Sequence, residues 1–303
     1  HLNLVKTMKE LFKGSCVALI TPFKKNKIDY EKLGEIIDFQ LLAGTDAILI
    51  LGTTGEGATV TYDERVEMMK FCRERIGEKS KMLVGAGSNS TRIAVDLCKT
   101  AEECGADGLL VVTPFYNKCN QNGLLCHYGV IAKSVHIPII VYNVPSRTGV
   151  NIQPETAEKL STIDNIFGIK EANSDKAHID KMCEILKGKM AVYSGNDDLN
   201  LYFLERGASG VISVTANVFP ELVAQVCSEY FSGSKLESQL LQEKLQGINK
   251  ALFTDVNPIP VKYAMSRLKK CNNELRLPLT PLAIEGKLKV DNELDKIRDP
   301  REL

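Results

Sequence analysis

The chain has 303 residues, of which 44% are hydrophobic, enough for a large core in one big domain or two small ones. Its 38 basic and 38 acidic residues give a formal net charge of zero, which gives no support for binding to nucleic acid or to an anionic membrane surface. No apolar run approaches the ~20 residues that span a bilayer, and no signal-peptide pattern opens the chain, so we expect a cytoplasmic protein.

The nine cysteines are scattered, with no C-x-x-C pair and no His/Cys cluster at zinc spacing. This pattern favours reduced thiols and predicts no metal site. The chain begins with His1 rather than methionine. We therefore expect residues 1–7 to be an N-terminal extension or an artefact of expression, with Met8 as a candidate native start.

Eight short apolar runs, rich in β-branched residues, predict eight strands. The runs are continuous rather than alternating, which is typical of strands that are buried on both faces. In chain order they are 16–20, 47–51, 82–86, 108–112, 138–142, 166–170, 191–195 and 210–214.

Helical patterns occupy the spacers between these runs. The segments 30–44, 62–77 and 91–105 repeat apolar residues at intervals of three and four, and each ends on glycine. Eight strand-then-helix units predict an α/β fold, a (β/α)8 TIM barrel. An open doubly wound sheet is the alternative, but no G-x-G-x-x-G fingerprint follows the first strand.

The last part of the chain carries helical patterns and no strand. The eighth helix is predicted at about 220–232, and "SGSK" then marks a break. We predict a barrel over 8–233 and a helical C-terminal appendage over 234–303, which serves subunit contacts or covers the side of the barrel. Prolines in 257–268 fix the start of one of its helices.

Polar residues follow the strands at one end only. They are "GTTGEG" (52–57), "GSNST" (87–91), "TPFYNK" (113–118), "YNVPSRTG" (142–149), Lys170, "GNDD" (195–198) and "TAN" (215–217). Active sites of such barrels lie at the carboxyl ends of the strands. The asymmetry therefore indicates a catalytic mouth.

Lys170 ends the sixth predicted strand, and its side chain could lie in either of two environments. An isolated lysine after an apolar strand usually extends its amine to solvent. A lysine that faces inward at the mouth is desolvated, which penalises the charged ammonium and leaves a nucleophile for a carbonyl carbon. The second alternative predicts a lysine that forms a Schiff base, and such chemistry needs no metal.

Three further stretches offer groups for this chemistry. Tyr142 ends the neighbouring strand, where its phenol could pass protons, or it could be an ordinary core tyrosine. Thr53 and Thr54 lie in a glycine-flanked turn that suits an anion, or one of them caps the next helix. Arg147 could pair with a substrate carboxylate, or form a surface salt bridge.

Several motifs coincide in order and spacing between Phe12 and about residue 285. They are "GTTGE", "TPFYNK", "YNVPSRTG", "GIKEA", "SGND" and "NPIPVK". Together they resemble the dihydrodipicolinate synthase family, which belongs to the pyruvate-dependent class I lyases related to N-acetylneuraminate lyase. The resemblance implies that Lys170 forms a Schiff base with pyruvate. The derived enamine would attack aspartate semialdehyde, on the route to diaminopimelate and lysine, without a cofactor.

The resemblance also implies roles for other residues. Tyr142 would donate and accept protons, in a relay with Thr53 and Tyr116. In the family, the tyrosine that matches Tyr116 reaches in from a neighbouring subunit, and the common assembly is a homotetramer of two tight dimers. Self-association is therefore expected here.

Substrate contacts follow from the same resemblance. Thr54 and the backbone of Ile212 would hold the pyruvate carboxylate, and the Gly195 carbonyl would line the same pocket. Arg147 would receive the carboxylate of the semialdehyde.

Two rival functions share these features. An N-acetylneuraminate lyase or a 2-keto-3-deoxy-acid aldolase would also use Lys170 and Tyr142, but Arg147 within "PSRTG" and Thr53 in place of the usual serine favour the synthase. A barrel that binds a keto acid without turnover is the other rival, and the presence of every expected catalytic residue argues against it.

Feedback by lysine is a further point of the resemblance. Lysine-inhibited members keep polar or acidic groups at the dimer interface, where this chain has Tyr62, Arg65, Asn89 and Ile93. Asn89 fits this pattern. Ile93, however, replaces an acid that would pair with the amine of the lysine effector, and Arg65 adds a positive charge, the same sign as that amine. We predict weak or absent inhibition by lysine.

Overall fold

The computed structural model describes residues 7–298, and eight parallel strands in that range close into a barrel. The described residues contain ten strands, eight in the barrel and two, β2 and β3, in a separate hairpin. They are β1 (Gly14–Ala18), β2 (Phe23–Lys24), β3 (Lys27–Ile28), β4 (Ala47–Ile50), β5 (Lys81–Gly85), β6 (Gly108–Val112), β7 (Ile139–Asn143), β8 (Ile166–Glu171), β9 (Ala191–Ser194) and β10 (Gly210–Ser213). The barrel order is β1-β10-β9-β8-β7-β6-β5-β4. The predicted (β/α)8 TIM barrel is confirmed, and the open doubly wound sheet is wrong.

Helices alternate with the barrel strands and continue beyond the last of them. They are α1 (Tyr30–Leu42), α2 (Tyr62–Ile76), α3 (Thr91–Glu103), α4 (Gln121–Ser134), α5 (Pro145–Thr148), α6 (Pro154–Leu160), α7 (Lys176–Leu186), α8 (Asn200–Leu204), α9 (Pro220–Ser232), α10 (Lys235–Ala251), α11 (Ile259–Arg267) and α12 (Ile284–Arg298). The predicted C-terminal helices are confirmed as α10 to α12. The boundary between barrel and appendage at 233/234 stays a prediction, as does the extension over 1–7, of which 1–6 lie outside the described residues.

Local signals explain where the helices begin and end. The Asp29 side chain caps α1 by accepting from the backbone N–H of Lys32, and Thr61 forms a capping box with Glu64 at the start of α2. Gly77 follows α2 at a φ of 57°, a conformation that favours glycine. The apolar pattern of the sequence and the capping residues thus indicate the same bounds for these two helices.

A short hairpin between β1 and α1 was not predicted. β2 and β3 pair in antiparallel fashion, and the turn residues Lys25 and Asn26 have φ values of 52° and 59°. A two-residue hairpin loop of type I′ needs positive φ at both turn positions, for which Asn-Gly or Asp-Gly is the usual sequence signal. Lys-Asn between two-residue strands carries little of that signal.

The described residues divide into two compact units. We call Leu83–Ile212, with the residues up to Lys13, the central unit. We call Gly14–Met82, with the residues from Ser213 onward, the flanking unit. Within residues 7–298, no helix is both long and apolar enough to cross a membrane.

An aromatic stack consolidates the core of the central unit. The rings of Phe12 and Tyr193 stack with centroids 4.3 Å apart and planes 15° from parallel. The Tyr193 hydroxyl donates to the Phe12 carbonyl at 2.7 Å, so the buried phenol is satisfied. The segment before β1 is thereby attached to β9.

Arg276 ties together three segments of the flanking unit. Its guanidinium donates to both carboxylate oxygens of Glu64 at 2.7 and 2.6 Å, and to the carbonyls of Thr59 and Asn26 at 2.8 and 2.7 Å. This paired contact lowers the pKa of the Glu64 carboxyl from 4.5 to about 2. The chain after α11 is in this way held against α2 and the hairpin.

We expect Glu64→Gln to destabilise the protein at pH 7 and to have less than half of that effect at pH 3. A carboxyl with a lowered pKa stabilises the fold above its unfolded pKa and loses that contribution as the pH falls from about 4.5 towards 2. The difference at pH 7 should be about 2–3 kcal/mol, measured by urea unfolding. Glu31→Gln, at an exposed position of α1, is the matched control. A difference that is independent of pH would contradict this role of Arg276.

Candidate active site

Lys170 and Tyr142 form a buried pair in the central unit. They are register partners on the adjacent parallel strands β8 and β7, so their side chains share one face of the sheet. Their relative exposures are 6% and 7%, and the Lys170 Nζ lies 4.2 Å from the centroid of the Tyr142 ring. The Lys170 side chain is therefore buried, and the alternative in which it extends to solvent is wrong.

Close approach of β9 encloses this lysine. Tyr193 on β9 is the register partner of Lys170, and it is fully buried. Gly168 lies two residues before Lys170, where a Cβ would come within 2.8 Å of the Ala191 carbonyl and 3.1 Å of the Tyr193 ring. Glycine at this position lets the two strands and the tyrosine ring pack tightly beside the lysine.

Ile212 and Gly195 lie at the ends of the next two strands. Ile212 is buried on β10, and Gly195 follows β9 directly. The Gly195 N–H donates to the Glu171 carbonyl at 2.8 Å. A Cβ on Gly195 would lie 2.8 Å from the Cβ of Ala172, so the approach of this loop to β8 requires glycine.

Arg147 lies on α5, a single helical turn. Pro145 begins this turn, and Gly149 ends it at a φ of 73°, donating its N–H to the Pro145 carbonyl at 2.9 Å. The Arg147 side chain is exposed. The structure thus positions this guanidinium by a rigid turn, five residues beyond Tyr142, and does not bury it with the Lys170–Tyr142 pair.

Tyr116 is the most exposed large aromatic residue of the described chain, at 91%. It follows β6 and adopts a φ of 70°, which is unusual for an aromatic residue. The neighbouring Asn117 side chain donates to the Asn89 carbonyl at 2.9 Å and so fixes the loop. The Tyr116 ring is therefore presented outward, away from the buried environment that Lys170 and Tyr142 share.

The loop 52–57 in the flanking unit is tightly folded. Its glycines allow the backbone to fold onto itself, since a Cβ on Gly57 would lie 2.2 Å from the Leu51 carbonyl. Thr54 is buried and accepts a hydrogen bond from the Asn257 side chain at 3.0 Å, whereas Thr53 is exposed. Neither threonine caps α2, because Thr61 does so.

A buried ion pair anchors the same loop. Lys262 on α11 donates to Glu56 Oε2 at 2.7 Å, and also to the carbonyls of Thr21 and Glu274 at 2.5 and 3.1 Å. Burial lowers the pKa of Lys262, and the Glu56 carboxylate opposes that shift. Glu56, two residues after Thr54, is thus bound to the first turn of a C-terminal helix.

Two polar residues beside the lysine–tyrosine pair were not among the predicted site residues. Asn143 and Glu171 directly follow Tyr142 and Lys170, are fully buried and are register partners. The Asn143 amide donates to the two Glu171 oxygens at 3.0 and 3.1 Å. Strand alternation places them on the face opposite to the lysine, and the "YN" and "KE" pairs at two neighbouring strand ends were the available signal.

Comparisons with known proteins place this geometry in context. Residues 11–297 match the model of the dihydrodipicolinate synthetase family. A 4-hydroxy-tetrahydrodipicolinate synthase from Clostridium perfringens is 45% identical over 269 residues, which cover 89% of this chain and 92% of that protein. The crystal structure of a dihydrodipicolinate synthase from Thermotoga maritima superposes with a TM-score of 0.94 at 43% identity, covering 95% of this chain and 99% of that one. A monomeric dihydrodipicolinate synthase variant superposes with a TM-score of 0.93, also at 43% identity, over 95% of this chain and 97% of its own.

Proposed function

The chain belongs to the dihydrodipicolinate synthetase family, and we propose that it condenses pyruvate with L-aspartate 4-semialdehyde, the activity of a 4-hydroxy-tetrahydrodipicolinate synthase. It is an enzyme of the class I aldolase type. Its reaction would serve diaminopimelate and lysine biosynthesis. The observation that supports the proposed chemistry is the buried Lys170 amine, 4.2 Å from the centroid of the Tyr142 ring.

The first half of the proposed reaction forms a Schiff base. The neutral Lys170 amine attacks C2 of pyruvate, the resulting carbinolamine loses water, and an imine to the lysine remains. Loss of a proton from the pyruvate methyl group then gives an enamine. Tyr142, on the same face of the sheet as Lys170, is the group that we propose passes these protons.

The second half forms the carbon–carbon bond and the ring. The enamine carbon attacks the aldehyde carbon of aspartate semialdehyde, whose oxygen takes up a proton and becomes a hydroxyl. The amino group of the same substrate then adds to C2 and displaces Lys170, which closes the heterocycle and restores the free amine. The overall change is a condensation that releases water, with no net oxidation or reduction of the substrates, so the proposed reaction calls for no redox cofactor.

The other site residues keep the roles that the family membership suggests. We propose that Thr54 and the backbone of Ile212 hold the pyruvate carboxylate, and that Arg147 receives the carboxylate of the semialdehyde by charge-assisted hydrogen bonds. Thr53 and Tyr116 would complete the proton relay. The burial of Thr54 and Ile212 supports a positioned carboxylate, and the exposure of Arg147 leaves its guanidinium accessible to a substrate.

Turnover is the direct test of this function. Pyruvate and aspartate semialdehyde should be consumed together when the product is coupled to a reductase and the loss of NADPH is followed. Absence of turnover, with a pyruvate adduct still trapped by borohydride, would assign the site to a sialate lyase or a keto-deoxy-acid aldolase. Turnover without any trapped adduct would contradict the Schiff-base mechanism.

We expect Tyr116→Phe to lower kcat more than it raises the KM for pyruvate. The change removes a relay hydroxyl and leaves the ring, whose 91% exposure in one chain suits a residue that acts in a partner subunit. Steady-state kinetics measure the split. A loss confined to pyruvate affinity would contradict the relay role.

Mixing two impaired variants tests whether Tyr116 acts across a dimer. In a heterodimer of Lys170→Ala with Tyr116→Phe, one site combines an intact lysine with an intact tyrosine from the other chain. Random exchange of subunits should then restore about a quarter of the wild-type sites. Activity no greater than the average of the separate variants would place Tyr116 in its own site.

We also propose, from the family membership, that the protein forms a homotetramer of two tight dimers. Sedimentation of the wild-type protein in an analytical ultracentrifuge measures its oligomeric state.

Insensitivity to lysine remains a proposal. Arg65 is buried in the flanking unit, with its guanidinium donating to the Gly57 carbonyl at 3.3 Å, and Ile93 is 46% exposed on α3. Neither offers the acidic group that an effector amine would need. Initial rates should stay unchanged at physiological lysine, whereas Ile93→Glu should increase the sensitivity. Strong inhibition of the wild type would contradict the proposal.

We also propose a cytoplasmic location. All nine cysteines are present as thiols rather than disulfides in the described residues, which suits a reducing compartment. Fractionation of the source cells tests this directly.

A further inference from the structure

An irregularity in the pairing of β7 with β8 decides which residues share a face at the strand ends. Ile139 pairs with Ile166, but Ile140 pairs with Gly168, so the register skips Phe167. An extra residue of this kind shifts all later pairs by one position. The shift is what sets Tyr142 opposite Lys170.

The regular register would give a different site. Without the extra residue, Tyr142 would pair with Ile169, and Lys170 would pair with Asn143. Because side chains alternate between faces, a one-residue slip would turn the lysine away from the tyrosine. The proposed chemistry therefore needs a feature that makes the shifted register the stable one.

Asn143 and Glu171 form such a feature directly beyond the pair. The Asn143 Nδ2 donates to Glu171 Oε1 at 3.0 Å and Oε2 at 3.1 Å, and it also donates to Asn151 Oδ1 at 2.8 Å. The Asn143 Oδ1 accepts from the Ile152 N–H at 2.8 Å. Every polar atom of this buried amide is therefore in use, and its two bonds to Glu171 depend on the shifted register.

The Glu171 carboxylate is equally well held. Its Oε1 accepts from the Asn173 N–H at 2.7 Å, and its Oε2 lies 3.1 Å from His178 Nε2 on α7. The Glu171 side chain is fully buried, and that of His178 is 9% exposed. Hydrogen bonds to a buried carboxylate are costly to lose, because the charge then remains without compensation.

We propose that Asn143 and Glu171 are positioning residues that fix the register in which Lys170 faces Tyr142. The inference rests on the proposed function, since it concerns the geometry of the same reaction. Neither residue lies on the face that carries the lysine, so neither touches the substrate in this role. The pair acts through the backbone of the two strands.

Exchanging the two functional groups tests the proposal. Asn143→Asp sets two carboxylates against each other and should lower kcat on the order of a hundredfold, the size expected when reacting groups shift by about 1 Å. Adding Glu171→Gln restores one amide facing one carboxylate and should return kcat to within about tenfold of the wild type. The KM for pyruvate should change less than kcat in the single variant.

A second variant and a control keep the test decisive. Glu171→Gln alone preserves the shape, so if Asn143→Asp does not fold, a slower borohydride-trapped adduct in Glu171→Gln still supports the role. Asn165→Ala, which removes donations to the Ala132 and Val135 carbonyls before β8, should lower the Tm and leave kcat nearly unchanged. This control separates positioning from general loss of stability.

Three results would overturn the proposal. They are an unchanged kcat in a folded Asn143→Asp variant, a double variant as impaired as the single one, and normal turnover and trapping in Glu171→Gln. Failure of the proposed function itself is distinguishable, because the wild-type protein would then show no turnover of pyruvate with aspartate semialdehyde, whether or not it formed the adduct.

Discussion

Replacing Lys170 by alanine is expected to abolish the pyruvate adduct that borohydride traps and to lower turnover by at least about 10³-fold. The side chain forms the covalent bond between enzyme and substrate in the proposed reaction, so its loss removes the intermediate rather than weakening one contact. Mass spectrometry of the intact chain after borohydride treatment measures the adduct, and peptide mapping locates it.

The second buried lysine provides a sharp internal comparison. Within residues 7–298, the buried lysines are Lys170 and Lys262. The Lys262 amine is held by one carboxylate and two carbonyls, whereas the Lys170 amine lies against a tyrosine ring. Only the latter has the freedom to attack a carbonyl carbon, so mapping should find the adduct on Lys170 alone.

An exposed lysine serves as the control variant. Lys187→Ala, at the end of α7, should retain both adduct and turnover. An adduct that persists in Lys170→Ala would contradict the assignment of the nucleophile. Loss of the adduct in both variants would point to damage to the fold.

The barrel was predictable because its strands are buried on both faces. Continuous apolar runs such as 108–112 leave little choice of structure, and the observed β6 has the same bounds. The β2–β3 hairpin was not predictable, since its strands have two residues each. Burial over many residues is visible in a sequence, whereas a short turn held by Arg276 and Glu274 from elsewhere in the chain is not.

The candidate site was predictable in part for the same reason. Lys170 and Tyr142 lie near the carboxyl ends of neighbouring strands, so topology alone brings them to the same end of the barrel. Their common face depends on the skipped residue Phe167, which no pattern in the sequence reveals. The partnership of Asn143 with Glu171 depends on the same register and was missed with it.

Lys262→Met is expected to destabilise the protein by about 3–5 kcal/mol, the usual cost of removing one partner of a buried ion pair. Lys262 is 0% exposed and donates to Glu56 at 2.7 Å. Without the lysine, the hydrogen bond from the Arg276 backbone N–H, at 3.0 Å, is the one that the described residues still give to the buried Glu56 carboxylate. Urea unfolding followed by circular dichroism measures the loss, and Lys250→Met on the exposed side of α10 should stay within about 0.5 kcal/mol.

A second substitution, at Glu56, distinguishes two causes of the destabilisation: the loss of the ion-pair attraction and the burial of a charge without a partner. Lys262→Met combined with Glu56→Gln leaves no buried charge, so the double variant should be more stable than Lys262→Met alone. If both are equally destabilised, the cost arises from the lost hydrogen bonds to the Thr21 and Glu274 carbonyls instead.

Under the proposed role of Thr54, the same ion pair should matter for pyruvate binding, because it holds the loop that carries this residue. Asn257 contacts the Thr54 hydroxyl and lies five residues before Lys262, so the loop is joined to this segment at two points. Releasing Glu56 frees one of them, and the KM for pyruvate should rise more than kcat falls. An unchanged KM in a folded Lys262→Met variant would mean that Asn257 alone positions Thr54, and Asn257→Ala would then be the variant that raises the KM.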